Sequence, residues 1–105
     1  MIFIETTAFT RRLQTLLTDD EYSRLQSSLV VRPDLGDVIT GSGGIRKLRW
    51  QSSGRGKRGG ARVIYYWAIT RDTILMLGVY SKNEKADLTP DEIKIMKRVV
   101  EVEFR

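Results

Sequence analysis

The sequence lacks two residue types on which much of enzyme chemistry depends, because its 105 residues include no cysteine and no histidine. Without cysteine there can be no disulfide, thiolate nucleophile or thiolate metal site, and the chain suits a reducing compartment. Without histidine, the commonest general base and the commonest metal ligand are both missing. Any catalysis must therefore depend on other side chains.

Long apolar runs are missing as well. The longest, at residues 63–67 and 74–79, fall far short of the ~20 residues that span a bilayer. The N-terminus also lacks the basic-then-apolar order of a signal peptide. With 41% apolar residues in 105, the chain can bury one core. We therefore expect a single domain over residues 1–105, in a soluble cytoplasmic protein.

Acidic residues are absent from one long segment, between Asp37 and Asp72. This segment holds eight of the 18 basic residues, so the other 10 stand against 13 acidic residues, a balance of about −3. A slightly acidic body with one strongly basic segment is typical of a polyanion-binding protein. The eight are Arg46, Lys47, Arg49, Arg55, Lys57, Arg58, Arg62 and Arg71.

The local patterns predict an α+β fold with the element order β-α-α-β-β-β-α. Residues 2–4 form a short apolar strand, and a first helix starts at Thr6 or Thr7. Capping boxes at 18–21 and 89–92 start the second and the last helix, and the second ends before Pro33. Strands near 45–50, 63–67 and 74–80 form an antiparallel meander. We predict a central antiparallel sheet with two N-terminal helices and one C-terminal helix covering one face.

A basic, glycine-rich loop at residues 51–60 joins the first two strands of this meander, and we expect it to be mobile. Cations of the loop and of the adjoining strands are interleaved with aromatic residues. Cations hold phosphates, and unstacked bases lie on aromatic or guanidinium planes, so the pattern predicts nucleic-acid binding. A solvated hairpin tip is the alternative, and part of the aromatic run must be core. The aromatic residues are Trp50, Tyr65, Tyr66 and Trp67.

Three chemically useful residues close the last strand of the meander. Tyr80, Lys82 and Glu84 share one side if the strand geometry persists. A general acid or base built without histidine needs such groups, with the pKa of a lysine lowered or that of a glutamate raised by its neighbours. An ordinary surface lysine and glutamate at a strand end is the alternative interpretation.

Five segments, spread in order over nearly the whole chain, form one combined pattern. They are GDVITG at 36–41, GGIRKLR at 43–49, GKRGGARVIYY at 56–66, YSKNE at 80–84 and DLT at 87–89. In combination they resemble the HigB-type branch of the RelE superfamily, and the combination is far more specific than any one segment. The resemblance implies a central antiparallel sheet packed by helices. It also implies a toxin of a type II toxin-antitoxin system that cleaves messenger RNA in the ribosomal A site.

The resemblance further implies an endoribonuclease that uses neither a metal nor another cofactor. In such enzymes the ribose 2′-hydroxyl is expected to attack the neighbouring phosphate. This step needs a base for the hydroxyl, an acid for the leaving oxygen, and cations that stabilise the negative charge of the phosphorane oxygens. By position, Arg62 resembles the phosphate-stabilising arginine of the family, and Lys82 falls at the basic position after the last strand. The base stays open, with Lys82 and Glu84 as candidates and Tyr80 as an orienting or proton-donating group.

The remaining cations are assigned to binding of RNA and the ribosome. Arg46, Lys47 and Arg49 correspond to the cationic edge beside the family's active site. The loop cations Arg55, Lys57 and Arg58 stand on a segment too glycine-rich to preorganise a transition state but suited to gripping ribosomal RNA.

The partners implied are the ribosome, messenger RNA and a cognate antitoxin, usually a helix-turn-helix protein encoded alongside, with no membrane involved. Two other functions stay open. One is a non-catalytic RNA- or ribosome-binding module that uses the basic surface only to position phosphates. The other is a toxin of the same fold directed at DNA gyrase. The dense arginine and lysine set favours the ribonuclease, because a gyrase-directed toxin does not need a phosphate-stabilising cluster.

Overall fold

The computed structural model of the chain describes residues 1–51 and 60–105, which contain five strands and three α-helices. A short 3₁₀ turn, Ile69–Arg71, lies between the last two strands. In chain order the elements are β1 (Ile2–Glu5), α1 (Thr7–Leu16), α2 (Asp19–Val31), β2 (Asp37–Val38), β3 (Ile45–Trp50), β4 (Ala61–Ala68), β5 (Thr73–Ser81) and α3 (Pro90–Glu103).

The strands form one sheet in the order β1-β5-β4-β3-β2. The antiparallel meander of β3, β4 and β5 is confirmed. At one edge β1 pairs with β5 in parallel, so the complete sheet is mixed. At the other edge, β2 was not predicted, because it has only two residues and depends on pairing with β3. The α+β class and the three helices agree with the prediction.

Side-chain caps start all three helices where the sequence predicts them. The Thr6 hydroxyl accepts a hydrogen bond from the Phe9 amide at the start of α1. Thr18 and Thr89 each form a capping box, in which the glutamate of the first turn accepts from the threonine amide. These caps satisfy amides that have no partner within the helix. The ends of the helices therefore follow from local sequence.

Helices cover both faces of the sheet, so the expectation that they cover one face is wrong. Helices α1 and α2 pack on one face around Phe9, Leu25 and the buried Tyr65. Helix α3 packs on the opposite face, where Met96 lies against Ile64 and its neighbours. The physical reason is the continuous apolar run of β4 and β5, which leaves both sides of the strands apolar. We call these the α1–α2 face and the α3 face.

A β-bulge interrupts the pairing of β4 with β5. Ile64 lies opposite Gly78 but Tyr65 lies opposite Met76, so Leu77 is an extra residue in β5. Gly78 faces α3, and a Cβ atom there would lie 3.1 Å from the Met96 Cε atom. Bulges bend a strand and often occur beside active sites. This one lies shortly before Tyr80 at the end of β5.

Candidate active site

The strand register brings three of the predicted site residues into one row. Arg49 on β3 lies opposite Arg62 on β4, and Arg62 lies opposite Tyr80 on β5. Residues directly opposite each other in an antiparallel pair project from the same face, with Cβ atoms about 4.5–5.5 Å apart. Tyr80 packs in the α3 core, so the row lies on the α3 face. We call Arg49, Arg62 and Tyr80 the strand-end row.

The row combines buried and exposed groups. Arg62 and Tyr80 retain only 8% and 4% of their accessible surface, whereas Arg49 is exposed. Among residues 1–51 and 60–105, the buried hydroxyl of Tyr80 finds no hydrogen-bond partner. The Lys85 ammonium lies over the Tyr80 ring, 5.1 Å from its centroid. A buried hydroxyl without a partner is costly, and such groups in native proteins often have a functional cause.

The surroundings of Tyr80 keep its hydroxyl protonated. Burial raises the pKa of Tyr80, the Asp87 carboxylate raises it further, and the Arg62 guanidinium lowers it. Tyr80 therefore lies within electrostatic range of the Arg62 guanidinium and of the Asp87 and Glu92 carboxylates, and at neutral pH its hydroxyl is a neutral donor.

Lys47 and Asp87 form an ion pair on the same face. Side chains alternate along β3, so Lys47 projects from the side that carries Arg49. Its ammonium lies 3.1 Å from the Asp87 Oδ1 atom, which also accepts a hydrogen bond from the Leu88 amide. The Leu88 amide and the Lys47 ammonium both lower the pKa of Asp87. The segment after β5 therefore crosses the sheet as far as β3.

An open cleft of about 710 Å³ runs beside this ion pair. Both signs of charge line it, together with apolar residues of β2 and its flanks. The cleft is thus a polar surface depression next to the strand-end row, large enough to admit part of a nucleotide chain. Its lining residues are Leu35, Asp37, Val38, Ile39, Thr40, Lys47, Leu48, Arg49 and Asp87.

Arg46 is separated from Lys47 and Arg49 by strand alternation. Its guanidinium donates to the carbonyl oxygens of Gly36 at 2.7 Å and Asp34 at 3.2 Å, beside the end of α2. It therefore lies on the α1–α2 face, away from the strand-end row. The loop cations Arg55, Lys57 and Arg58 lie outside the described residues.

Glu84 and Tyr80 do not share one side, because the strand geometry ends at Ser81 and residues 82–84 form a turn. The Glu84 carboxylate pairs with Arg12 of α1 and accepts a hydrogen bond from the Ser81 amide at 3.0 Å. The hydrogen bond to Glu84 also raises the pKa of Arg12. Glu84 thus ties the turn to α1, whereas Lys82 is exposed within the turn.

The aromatic residues of β3 and β4 belong to the two cores. Tyr65 is completely buried, and its hydroxyl accepts from the Gly36 amide at 2.8 Å and donates to the Pro33 carbonyl at 2.7 Å. Trp50 and Trp67 pack partly buried against the α1–α2 core. Tyr66 contacts Phe104, the residue that follows α3, with ring centroids 5.8 Å apart. The strand-end row therefore contains one aromatic residue, Tyr80.

Asp87 was not among the residues assigned to the site from sequence, although it lies within the DLT segment. The sequence held no direct signal for it, because its position depends on the path of the chain from β5 to α3 over the α3 face. Among residues 1–51 and 60–105, no group of three or more histidine, cysteine or acidic side chains is placed to hold a metal ion. Nor does this described part contain a helix long and apolar enough to cross a membrane.

Together, the fold and the site define a small α+β protein with cations and a buried tyrosine at the strand ends of a mixed sheet. A family model described as the RelE toxin of the RelE/RelB toxin-antitoxin system matches residues 6–104, nearly the whole chain. The chain belongs to the RelE toxin family.

Two solved structures share the fold. A chain of the intact E. coli RelBE toxin-antitoxin complex has a TM-score of 0.60 at 12% identity, over 76% of this chain and 94% of its own length. A double mutant of E. coli toxin RelE in the free state has a TM-score of 0.61 at 14% identity, over 94% of this chain and 95% of its own length. At these identities the likeness shows the fold alone.

Proposed function

We propose that this chain is the toxin of a type II toxin-antitoxin system, of the HigB-type branch, and that it cleaves messenger RNA in the ribosomal A site. The observation that carries the proposal is the strand-end row, in which two arginines and a protonated tyrosine hydroxyl are aligned on one face beside an open cleft. Membership of the RelE toxin family supports the assignment. The proposed site of action is the cytoplasm, where translation takes place.

The cations of the strand-end row suit the negative charge that develops in this reaction. Attack of the 2′-hydroxyl on the neighbouring phosphate places negative charge on the phosphorane oxygens, which preorganised cations stabilise. Arg62 is held by a central strand and is largely buried, so the position and orientation of its guanidinium are fixed. Lys82, on the turn after β5, is the second proposed cation. The Tyr80 hydroxyl is the proposed orienting group or donor to the leaving 5′-oxygen.

Binding of RNA and the ribosome is assigned to the more exposed cations. Lys47 and Arg49 flank the cleft on the α3 face. Arg46 lies on the opposite face, so a contact between Arg46 and RNA would be separate from the contacts at the cleft. The loop cations Arg55, Lys57 and Arg58 are proposed to grip ribosomal RNA through phosphate contacts.

A cleavage assay tests the activity. A transcript is translated in a reconstituted system with and without the purified chain, and the new 5′ ends are mapped. We expect ends within codons of translated regions, and none in free transcript. An intact transcript, with the chain bound to the ribosomes, would favour the non-catalytic binding module. An intact transcript, with DNA supercoiling by gyrase inhibited by the chain, would favour a gyrase-directed toxin.

The proposed partner is a cognate antitoxin of the helix-turn-helix type with an acidic segment. One of the E. coli structures that share the fold is a toxin-antitoxin complex. A basic surface of this kind is complemented by negative charge, which steers association. Expression of this chain alone should arrest growth, and co-expression of the antitoxin should restore it. Normal growth while soluble chain accumulates without the neighbouring gene would contradict the proposal.

A further inference from the structure

We infer that Asp87 accepts the proton of the ribose 2′-hydroxyl during cleavage, an inference that rests on the proposed ribonuclease activity. The reaction needs a proton acceptor within hydrogen-bonding reach of that hydroxyl. Since the chain contains no histidine, the acceptor has to be a carboxylate or a lysine on the face that carries the strand-end row.

The contacts of Glu84 direct its carboxylate elsewhere. It pairs with Arg12, which belongs to α1 on the opposite face of the sheet, and it accepts a hydrogen bond from the Ser81 amide. These contacts hold the turn after β5 in place. The pairing with Arg12 therefore directs the Glu84 carboxylate towards α1 rather than towards the strand-end row.

Asp87 is on the correct face and is accessible. Its side chain is 65% exposed and lines the same cleft as Lys47 and Arg49. It also lies within electrostatic range of the Tyr80 hydroxyl, which in turn lies within range of Arg62. The Asp87 carboxylate and the buried Arg62 guanidinium therefore both act on the Tyr80 hydroxyl near the strand ends.

Its charge state also fits an acceptor. Hydrogen bonds from the Leu88 amide and the Lys47 ammonium keep the pKa of Asp87 below its ordinary value, so the carboxylate is ionised at neutral pH. An RNA phosphate that draws the ammonium of Lys47 to itself removes one of these two interactions. Asp87 then becomes a stronger base at the moment when RNA is bound.

The proposed step conserves atoms and protons. The 2′-oxygen forms a bond to phosphorus while its proton passes to the Asp87 carboxylate. The bond from phosphorus to the 5′-oxygen breaks, and that oxygen takes the proton of the Tyr80 hydroxyl. The products are a 2′,3′-cyclic phosphate and a 5′-hydroxyl. Exchange with water returns one proton to Tyr80 and removes one from Asp87.

The contact between Asp87 and Lys47 could also serve only to mask the lysine, and this role predicts the opposite change in cleavage rate when Asp87 is replaced. If Asp87 only masks Lys47, removing its charge frees a cation, and both ribosome binding and the cleavage rate should rise. If Asp87 is the acceptor, removing its charge should lower the rate and leave binding largely unchanged. The sign of the change in rate therefore separates the two roles.

The test is single-turnover cleavage on programmed ribosomes, with ribosome binding measured in parallel by co-sedimentation. Asp87→Asn keeps the size of the side chain and its oxygen acceptor for the Leu88 amide but cannot take a proton. We expect its cleavage rate to fall about 10²–10⁴-fold with binding within a few-fold of wild type. Asp87→Glu should recover part of the rate. Asp91→Asn, the same change of charge on the exposed first turn of α3, should cleave like wild type.

Several results would overturn the inference. One is wild-type cleavage with Asp87→Asn, and another is faster cleavage combined with tighter binding. A third is loss of the rate in Asp37→Asn but not in Asp87→Asn, which would move the acceptor to β2. Failure of the wild-type protein to cleave any translated transcript would instead overturn the proposed function itself, and the two failures are distinguishable because wild type is measured in every experiment.

Discussion

Arg62 on β4 lies directly opposite Tyr80 on β5, and both side chains are more than nine-tenths buried. A buried arginine beside a buried tyrosine hydroxyl is an uncommon arrangement at a strand end, because both groups lose contact with water. Arg62 opposes the increase that burial and Asp87 cause in the pKa of Tyr80. The two residues therefore act on one another electrostatically.

Arg62→Ala should abolish growth arrest and lower the single-turnover cleavage rate about 10²–10³-fold, the usual cost of losing one preorganised donor to a developing charge. Ribosome binding should change little, because other cations still hold the RNA. The matched control is Arg71→Ala, which removes an arginine beyond the opposite end of β4, where it lies over the Phe104 ring. Equal loss of rate in both variants would point to net charge rather than to the row.

Tyr80→Phe should uncouple stability from activity. Its hydroxyl is buried without a partner in the described part of the chain, so removing the oxygen should leave the free energy of unfolding unchanged or raise it by up to about 1 kcal/mol. Cleavage should fall, because the donor to the leaving oxygen is gone. Chemical denaturation and single-turnover kinetics on the same preparation measure both effects. A clear loss of stability would mean that the hydroxyl has a partner in the folded protein.

The fold was largely predictable because its signals are local. Capping boxes at Thr18 and Thr89 and the alternation of the strands depend on residues that are close in sequence. The edge strand β2 was not predictable in this way, since its two residues are extended only because they pair with β3. The continuous apolar run of β4 did indicate a strand buried on both faces. The expectation of helices on one face overlooked that signal.

The site was predictable in composition but not in arrangement. The sequence identified Arg49, Arg62 and Tyr80, but their alignment depends on the register of two strand pairs. Alternation of side chains along β3 is enough by itself to separate Arg46 from its two basic neighbours. The contact of Asp87 with Lys47 could not be predicted from spacing, because it spans 40 positions and depends on the path of the chain after β5.

The buried Tyr65 and the partly buried Tyr22 predict a loss of stability at high pH. Burial is the main cause that raises the pKa of Tyr65 and of Tyr22 above the ordinary value of 10. The unfolded chain therefore releases these protons first. The contribution of the two tyrosines to the free energy of unfolding is fully present below about pH 10 and is lost as the pH rises above it. Denaturation at a series of pH values measures this slope. A stability that does not change between pH 9 and about 11 would contradict the burial.

Tyr65→Phe tests the same residue by another route. Its hydroxyl bonds both the Gly36 amide and the Pro33 carbonyl, which would lose their partner. We expect a loss of about 1–3 kcal/mol in the free energy of unfolding, the cost of leaving buried polar groups unpaired. Activity per folded molecule should not change, since the residue lies on the α1–α2 face. Tyr66→Phe, on the other face, is the matched control for removal of a hydroxyl.

The basic loop should contribute to binding rather than to chemistry. Replacing Arg55, Lys57 and Arg58 together with alanine should weaken ribosome binding and flatten its dependence on salt, since each lost phosphate contact lowers the slope by about one unit. The cleavage rate at saturating ribosome concentration should stay close to that of wild type. Binding measured at several salt concentrations, with single-turnover rates beside it, provides the test. Normal binding with lost cleavage would assign the loop to the chemical step instead.

Lys82→Ala and Glu84→Gln separate two residues that are close in sequence but differ in their contacts. Lys82 is exposed on the turn, so its loss should abolish growth arrest while folding and ribosome binding persist. Glu84→Gln keeps an oxygen for the Ser81 amide but loses the charge that pairs with Arg12. Because this ion pair is well exposed, its loss should cost about 0–1 kcal/mol in the free energy of unfolding.

The rate of Glu84→Gln decides whether Glu84 takes part in the chemistry. If its carboxylate only anchors the turn to α1, single-turnover cleavage should stay close to wild type, and Arg12→Gln should behave in the same way because it removes the other half of the same pair. If Glu84 is the base, its rate should fall at least as far as that of Lys82→Ala, while Arg12→Gln should retain activity. Comparing the three variants on the same programmed ribosomes distinguishes the two roles, since a lost proton acceptor slows Glu84→Gln but not Arg12→Gln, whereas an anchoring role leaves both close to wild type.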